Sequence, residues 1–149
     1  MLQRDPAVFE DTARRLGART VLWSHRHSPE AAALLRYLAG SPSWKPVYVD
    51  LAASVFVRAG EESESGPEAI DLSDPGLGSR ILEEVRRAEE MAAREDPAPA
   101  FLRRLLPRRP VPVAAVNAAL FFGIAGSPMA AETLFRAAVN PKRALRHIG

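Results

Sequence analysis

The chain of 149 residues contains no cysteine. This absence excludes disulfide bonds, thiolate metal ligands and any thiol nucleophile. The chain also lacks an apolar run close to the roughly 20 residues that a membrane-spanning helix needs, so we expect no membrane association. Because the first residues include acids and no apolar core of the kind found in signal peptides, we expect a soluble, cytoplasmic protein. The length suits one hydrophobic core, so residues 1–149 are expected to form a single domain.

Charge is unevenly spread along the chain, although the formal net charge is only +2. Residues 61–96 hold 12 acids and 4 bases, whereas residues 97–149 hold 8 bases and 1 acid. We interpret the acidic segment and the basic segment at 103–109 as solvated faces whose roles stay open. The basic segment is preceded by a single aromatic residue, Phe101, and no helix-turn-helix pattern accompanies it, which disfavours nucleic acid as a partner.

Apolar spacing and capping residues predict the elements of the first half of the chain. They indicate a helix over 6–16, a strand over 19–24 and a helix over 29–39. A second strand is predicted at 46–51, and residues 53–60 either prolong it or form another strand. The strand–helix–strand order predicts a parallel pair joined by a right-handed crossover.

The second half begins with a polar and helical insert at about 61–108, which contains a long amphipathic helix over 79–94 and a short helix over 98–106. Residues 109–126 are interpreted as two strands joined by a tight turn at Asn117. A final helix follows, capped by Ser127. The residues expected on its buried side are Met129, Leu134, Phe135, Ala138 and Val139.

This order of elements predicts an α/β fold with a mixed sheet, and two local motifs resemble the thioredoxin/glutaredoxin superfamily. Residues Ser28-Pro29-Glu30-Ala31 in "WSHRHSPEAAALLRYL" stand where glutaredoxins have Cys-Pro-Tyr-Cys. Farther on, "VPVAAVNAALFFGIAGSPMAAETLF" (111–135) resembles the segment that begins with the family's cis-proline, here Pro112. The resemblance implies a three-layer sandwich of a mixed β-sheet flanked by helices, with the insert at about 61–108. It also implies a redox-inactive member, because both active-site cysteines are absent.

A domain of this kind implies a binding or scaffold module with no catalytic residue and no cofactor. We expect it to recognise a protein or peptide partner at the turn after the first strand and beside Pro112. A homodimer stays open. The turn residues assigned to this surface are His25, Arg26, His27, Ser28 and Glu30.

The main alternative is a glutathione-transferase-like or nucleotide-dependent enzyme that uses Ser28 at the start of a helix. Transferases of that family carry a separate helical domain, for which this chain lacks the length. His25 and His27 would share one face of an extended segment, but His147 is the only other histidine, so we expect no metal site. A hydrolase trio built on Ser28 and His27 lacks the usual Gly-x-Ser-x-Gly turn.

Overall fold

The computed structural model of this protein describes residues 5–26, 29–60, 67–95 and 111–140. Helices and strands alternate in the first half and helices follow in the second, so the α/β class is confirmed. Among the described residues no helix is both long and apolar enough to cross a membrane. The elements are α1 (Pro6–Arg15), β1 (Thr20–Ser24), a 3₁₀ turn (Pro29–Ala31), α2 (Ala32–Gly40), β2 (Trp44–Val49), β3 (Ala53–Arg58), α3 (Leu77–Glu95), α4 (Val111–Ala125) and α5 (Pro128–Val139).

The three strands form an antiparallel sheet in the order β1–β3–β2. Residues 53–60 therefore contribute a separate strand. The chain turns back from β2 into β3 at Asp50, whose Oδ1 accepts the backbone N–H groups of Ala52 at 2.6 Å and Ala53 at 2.8 Å. Strand β3 lies between β1 and β2, which still run in the same direction. The predicted parallel pair and mixed sheet are thus wrong for the described residues, because the returning strand β3 occupies the place between the two.

Residues 111–125 form helix α4 and not the two predicted strands. Its buried residues are Ala115, Ala118, Ala119, Phe121 and Phe122, and four of them, Ala115, Ala118, Ala119 and Phe122, recur at helical spacing. Asn117 lies inside the helix, and Pro112 lies in its first turn, with no cis peptide bond among the described residues. The strand prediction failed because a run that is apolar on every side lacks the periodicity that separates a strand from a helix. The alanines of the run then favour the helix.

Helix α5 packs against α4 through small side chains. Gly126, with φ of +90°, lets the chain reverse between the two helices. The buried residues of α5 are Ala130, Leu134, Ala137 and Ala138. The prediction that its buried side includes Met129, Phe135 and Val139 is wrong, since these side chains are 55%, 53% and 67% exposed. The alanine face allows closer approach to α4 than a face of large side chains would.

The helices predicted at 6–16 and 79–94 are confirmed as α1 and α3. Asp5 caps α1 as its Oδ1 accepts the N–H of Ala7 at 2.9 Å. The predicted helix at 29–39 is confirmed as α2, although the 3₁₀ turn precedes it. The predicted capping role of Ser28 and the helix predicted at 98–106 lie outside the described residues.

Glu10 ties α1 to α2 and to the sheet. Its Oε2 accepts hydrogen bonds from the Tyr37 hydroxyl at 3.1 Å and from Trp44 Nε1 at 3.0 Å. Its Oε1 accepts one from Arg58 Nη1 at 2.6 Å, and that guanidinium lies 4.6 Å from the centre of the Trp44 ring. Partial burial acts to raise the pKa of Glu10, but the hydrogen bonds from Arg58, Trp44 and Tyr37 outweigh it and hold the pKa below its usual value.

At pH 7 we expect Glu10→Gln to lower the free energy of unfolding by about 1–3 kcal/mol, because Arg58 loses a charged partner in a largely buried place. A carboxyl group with a lowered folded-state pKa stabilises the protein above its unfolded-state pKa, and this stabilisation is lost as the pH falls through the folded-state value. The difference between the two proteins should therefore shrink below about pH 4.5. Urea denaturation at pH 7 and at lower pH measures it.

Glu132→Gln is the matched control, since Glu132 pairs with Arg136 at 2.6 Å on an exposed face of α5. We expect a change below about 0.5 kcal/mol for this exposed pair. A loss for Glu10→Gln no larger than that of the control would contradict the role given to Glu10.

Candidate functional site

His25 directly follows β1 and is almost fully buried, with 2% of its surface exposed. Its backbone N–H donates to the carbonyl oxygen of Ala52 at 2.8 Å, which extends the β1–β3 pairing by one residue. The imidazole stacks on the ring of Phe121 in α4, with 4.1 Å between ring centres and 20° between planes. Phe121 in turn meets Phe122 edge to face at 5.0 Å. The stack therefore holds the end of β1 against α4.

Neither ring nitrogen of His25 has a hydrogen-bond partner of good geometry in the described part of the chain. Burial lowers the pKa of His25 to about 4, and the nearby Leu51 backbone and Asp50 carboxylate oppose this only in part. The ring is neutral at pH 7, so one nitrogen is a donor and the other an acceptor. Buried polar groups are nearly always hydrogen-bonded, which makes this ring the first candidate for a contact with a ligand.

Asp50 places a negative charge near the His25 ring. Burial acts to raise the pKa of Asp50, but the Tyr48 hydroxyl, which donates to Oδ2 at 2.7 Å, and the N–H groups of Ala53 and Ala52 hold that pKa below its usual value. Both carboxylate oxygens are thus engaged within the turn between β2 and β3. Asp50 therefore stabilises this turn. Because its two oxygens are already hydrogen-bonded, a ligand would contact neighbouring residues instead.

A cleft of about 290 Å³ opens beside His25, between the end of β1, the turn at Asp50 and the first two turns of α4. The residues that line it are Ser24, His25, Arg26, Leu51, Ala52, Val113, Ala114 and Asn117. A second cavity of about 10 Å³ has room for about one water molecule. Its walls are Trp23, His25, Arg26, Ala32, Leu35, Phe121 and Ile124. His25 therefore borders a cleft wide enough for a small ligand or for the side chains of a bound segment.

The two halves of the predicted partner surface are neighbours in the structure. His25 and Arg26 share the cleft with Val113 and Ala114, the two residues that follow Pro112. This proximity arises through helix α4, although the sequence predicted a strand there.

The remaining predicted site residues do not line the cleft or cannot be placed. Glu30 is exposed in the 3₁₀ turn and is not among the residues that line the cleft. His27 and Ser28 lie outside the described residues.

Sequence reasoning missed Asn117, Leu51 and Phe121 as parts of this site. One signal pointed to Asn117, which is the only polar side chain between residues 111 and 126. A lone amide in an apolar helix is expensive to bury unless it has a partner. No comparable signal existed for Phe121, because its contact with His25 joins residues almost 100 positions apart.

Comparison of the chain with protein-family models, curated proteins and solved structures finds no match. The candidate function therefore rests on the geometry of the described residues. Within them, no three side chains of histidine, aspartate or glutamate form a group that could hold a metal ion.

We expect the protein to lose stability as the pH falls from 6.5 towards about 4, because the unfolded chain binds a proton on His25 that the native state excludes. A histidine whose folded-state pKa lies below its unfolded-state pKa stabilises the protein fully at pH values above the unfolded-state pKa. This stabilisation declines as the pH falls below that pKa. His25 should account for a loss on the order of 3 kcal/mol over this range. His25→Phe keeps a ring on Phe121 and should flatten the curve. Urea denaturation of both proteins between these pH values measures the difference, and parallel curves would contradict a buried, neutral His25.

Proposed function

We propose that this chain is a binding module that recognises a protein or peptide partner at the turn after β1 and in the adjoining cleft. The observation that carries the proposal is the set of unused polar groups at this cleft. Both ring nitrogens of His25 lack a partner of good geometry among the described residues, and the side chains of Arg26 and Asn117 line the same space. A partner that supplies the missing donors and acceptors would be held in a defined orientation.

Apolar groups complete the lining of the cleft. Leu51 is buried at its base, and Val113 is 58% exposed at the start of α4. Small side chains at Ala52 and Ala114 leave room between them. Apolar walls with a few unpaired polar groups are typical of sites that bind a ligand or the side chains of a partner.

Recognition is favoured over catalysis by the surroundings of the hydroxyl group in the cleft. Ser24 Oγ accepts the backbone N–H of Arg26 at 3.4 Å, and neither nitrogen of His25 bonds to it. A serine hydroxyl without a general base is a weak nucleophile at neutral pH. Membership of the thioredoxin-like superfamily stays a prediction. The proposal does not depend on it, because the segment that carries the second family motif is helical here.

The double variant Arg26→Glu with Val113→Glu should lose the partner, because it reverses a charge and places a carboxylate on an apolar wall of the cleft. Affinity capture from native lysate, with cross-linking and mass spectrometry, compares the variant with the unchanged protein. We expect the partner recovered by the unchanged protein to fall at least about tenfold.

Arg36→Glu with Leu16→Glu is the matched control, because it makes the same chemical changes at exposed residues outside the cleft. It should retain the partner. Equal capture by both variants, or no specific partner with the unchanged protein, would refute the proposed surface.

The enzyme alternative at Ser28 makes a different prediction for small ligands. If the module binds a protein or peptide, glutathione, ATP and GTP should leave the melting temperature unchanged. A ligand that binds the native state at 100 times its Kd would stabilise it by about 2.7 kcal/mol, which is readily seen as a rise in Tm. Such a rise, lost on Ser28→Ala, would favour the enzyme.

A further inference from the structure

The two edges of the sheet differ in how they are protected. The outer edge of β2 carries Pro46 and an irregular register between Pro46 and Tyr48. Ile70 also blocks this edge, because its backbone N–H donates to the carbonyl oxygen of Pro46 at 2.7 Å. Strand β1 has no proline and keeps a regular register against β3. Exposed edges invite pairing with another chain, and proteins usually block them with proline, bulges or loops. Among the residues that the structure describes, the β2 edge is blocked, whereas no strand or loop pairs with the β1 edge, here called the open edge.

The backbone groups of the open edge have a defined direction. Arg58 donates to the carbonyl of Arg19 at 2.9 Å, and His25 donates to Ala52 at 2.8 Å. Residues 19, 21, 23 and 25 therefore face β3, and the alternation turns the N–H and C=O groups of Thr20, Leu22 and Ser24 outward. None of these outward groups bonds to any described residue.

Side chains along the open edge also lack a cover. Thr20 and Ser24 are exposed, and Leu22 is 73% exposed. Leu22 pairs with Val55, which pairs on its other side with Tyr48, a residue that is 50% exposed. These three side chains form an apolar row across the outer face of the sheet. A fourth strand would continue the row with an apolar side chain next to Leu22.

Charge decides between a second copy and another protein as the occupant of the edge. Arg26 lies two residues beyond the end of β1 and is exposed. Antiparallel pairing of two copies about Leu22 would place Arg26 of each copy opposite Ala18 of the other, which offers it no carboxylate. An acidic residue in a partner segment would instead meet Arg26, which forms no ion pair with the described residues. The strand also ends at Ser24, a residue that lines the cleft, so a paired segment leads directly into it.

We infer that the partner binds as an extended segment of another protein, which adds a fourth strand to β1 at Thr20, Leu22 and Ser24. The segment carries an apolar residue beside Leu22 and, about four residues along, an acidic residue at Arg26. This inference rests on the proposed function and names the conformation and chemistry of its partner. It corresponds to strand addition, in which backbone hydrogen bonds supply affinity and alternate side chains supply specificity.

The test uses the full chain and a displayed library of random peptides of about ten residues. The tightest peptide recovered becomes the probe, and two forms of it are made with N-methyl groups on alternate sets of peptide nitrogens. Methylation of the set that faces β1 should weaken binding at least about 30-fold, because several backbone hydrogen bonds are lost, whereas methylation of the other set should change it less than about threefold. Leu22→Pro, which removes an outward N–H and leaves the pairing with β3 intact, should abolish binding. Leu22→Thr keeps that N–H and should retain most of it.

The acidic residue of the probe provides a second readout. Its replacement by the neutral amide should weaken binding about 3–10-fold in the unchanged protein and have no effect in Arg26→Gln. Equal effects in both proteins would refute the contact with Arg26.

Other outcomes separate the two proposals. Strand addition would be overturned, and the proposed function left in place, if the probe binds the cleft but both methylated forms bind equally well. Unchanged binding to Leu22→Pro would have the same meaning. Recovery of no peptide would overturn both. A concentration-dependent dimer that Leu22→Pro abolishes would overturn the choice of occupant in favour of a second copy.

Discussion

The stack of His25 on Phe121 is the contact on which the rest of the site depends. It places the first residue after β1 against helix α4, with the two rings 4.1 Å apart. The cleft exists because α4 stands at this end of the sheet, and the histidine is neutral because the same packing removes it from water. A helix with no charged residue is suited to this position, since it can bury side chains against α2, α5 and the imidazole at once.

The two ends of the sheet differ in whether their buried polar groups are hydrogen-bonded. At the end where β1 begins, Glu10 receives hydrogen bonds from Tyr37, Trp44 and Arg58, so four elements are joined through one carboxylate. At the end where β1 stops, neither ring nitrogen of His25 has a partner of good geometry among the described residues. Satisfied polar networks give rigidity, and unsatisfied ones indicate a place where something else binds. The fold thus provides a fixed base at one end of the sheet and, at the other end, the surface proposed for recognition.

The site could be predicted from sequence only where a local pattern carries it. The change from an apolar strand to the polar turn at His25 and Arg26 is visible in the chain, and so is the proline that opens the segment at Pro112. The burial of His25 is not visible, since a histidine after a strand is as compatible with exposure as with stacking. Leu51 joined the cleft through contacts between distant segments, which composition and spacing do not encode, and the only signal for Asn117 was its polarity within an apolar run.

The sequence by itself determined the elements that have a period or a cap. Helices α1 and α3 and strands β1 and β2 formed where apolar spacing, Asp5 and the short apolar runs predicted them. Only the tertiary structure decided the state of residues 111–125, the insertion of β3 between β1 and β2, and the exposed side of α5. The physical reason is common to all three: an apolar segment is stabilised as whichever element buries it best, and that depends on the neighbours that the folded chain brings to it.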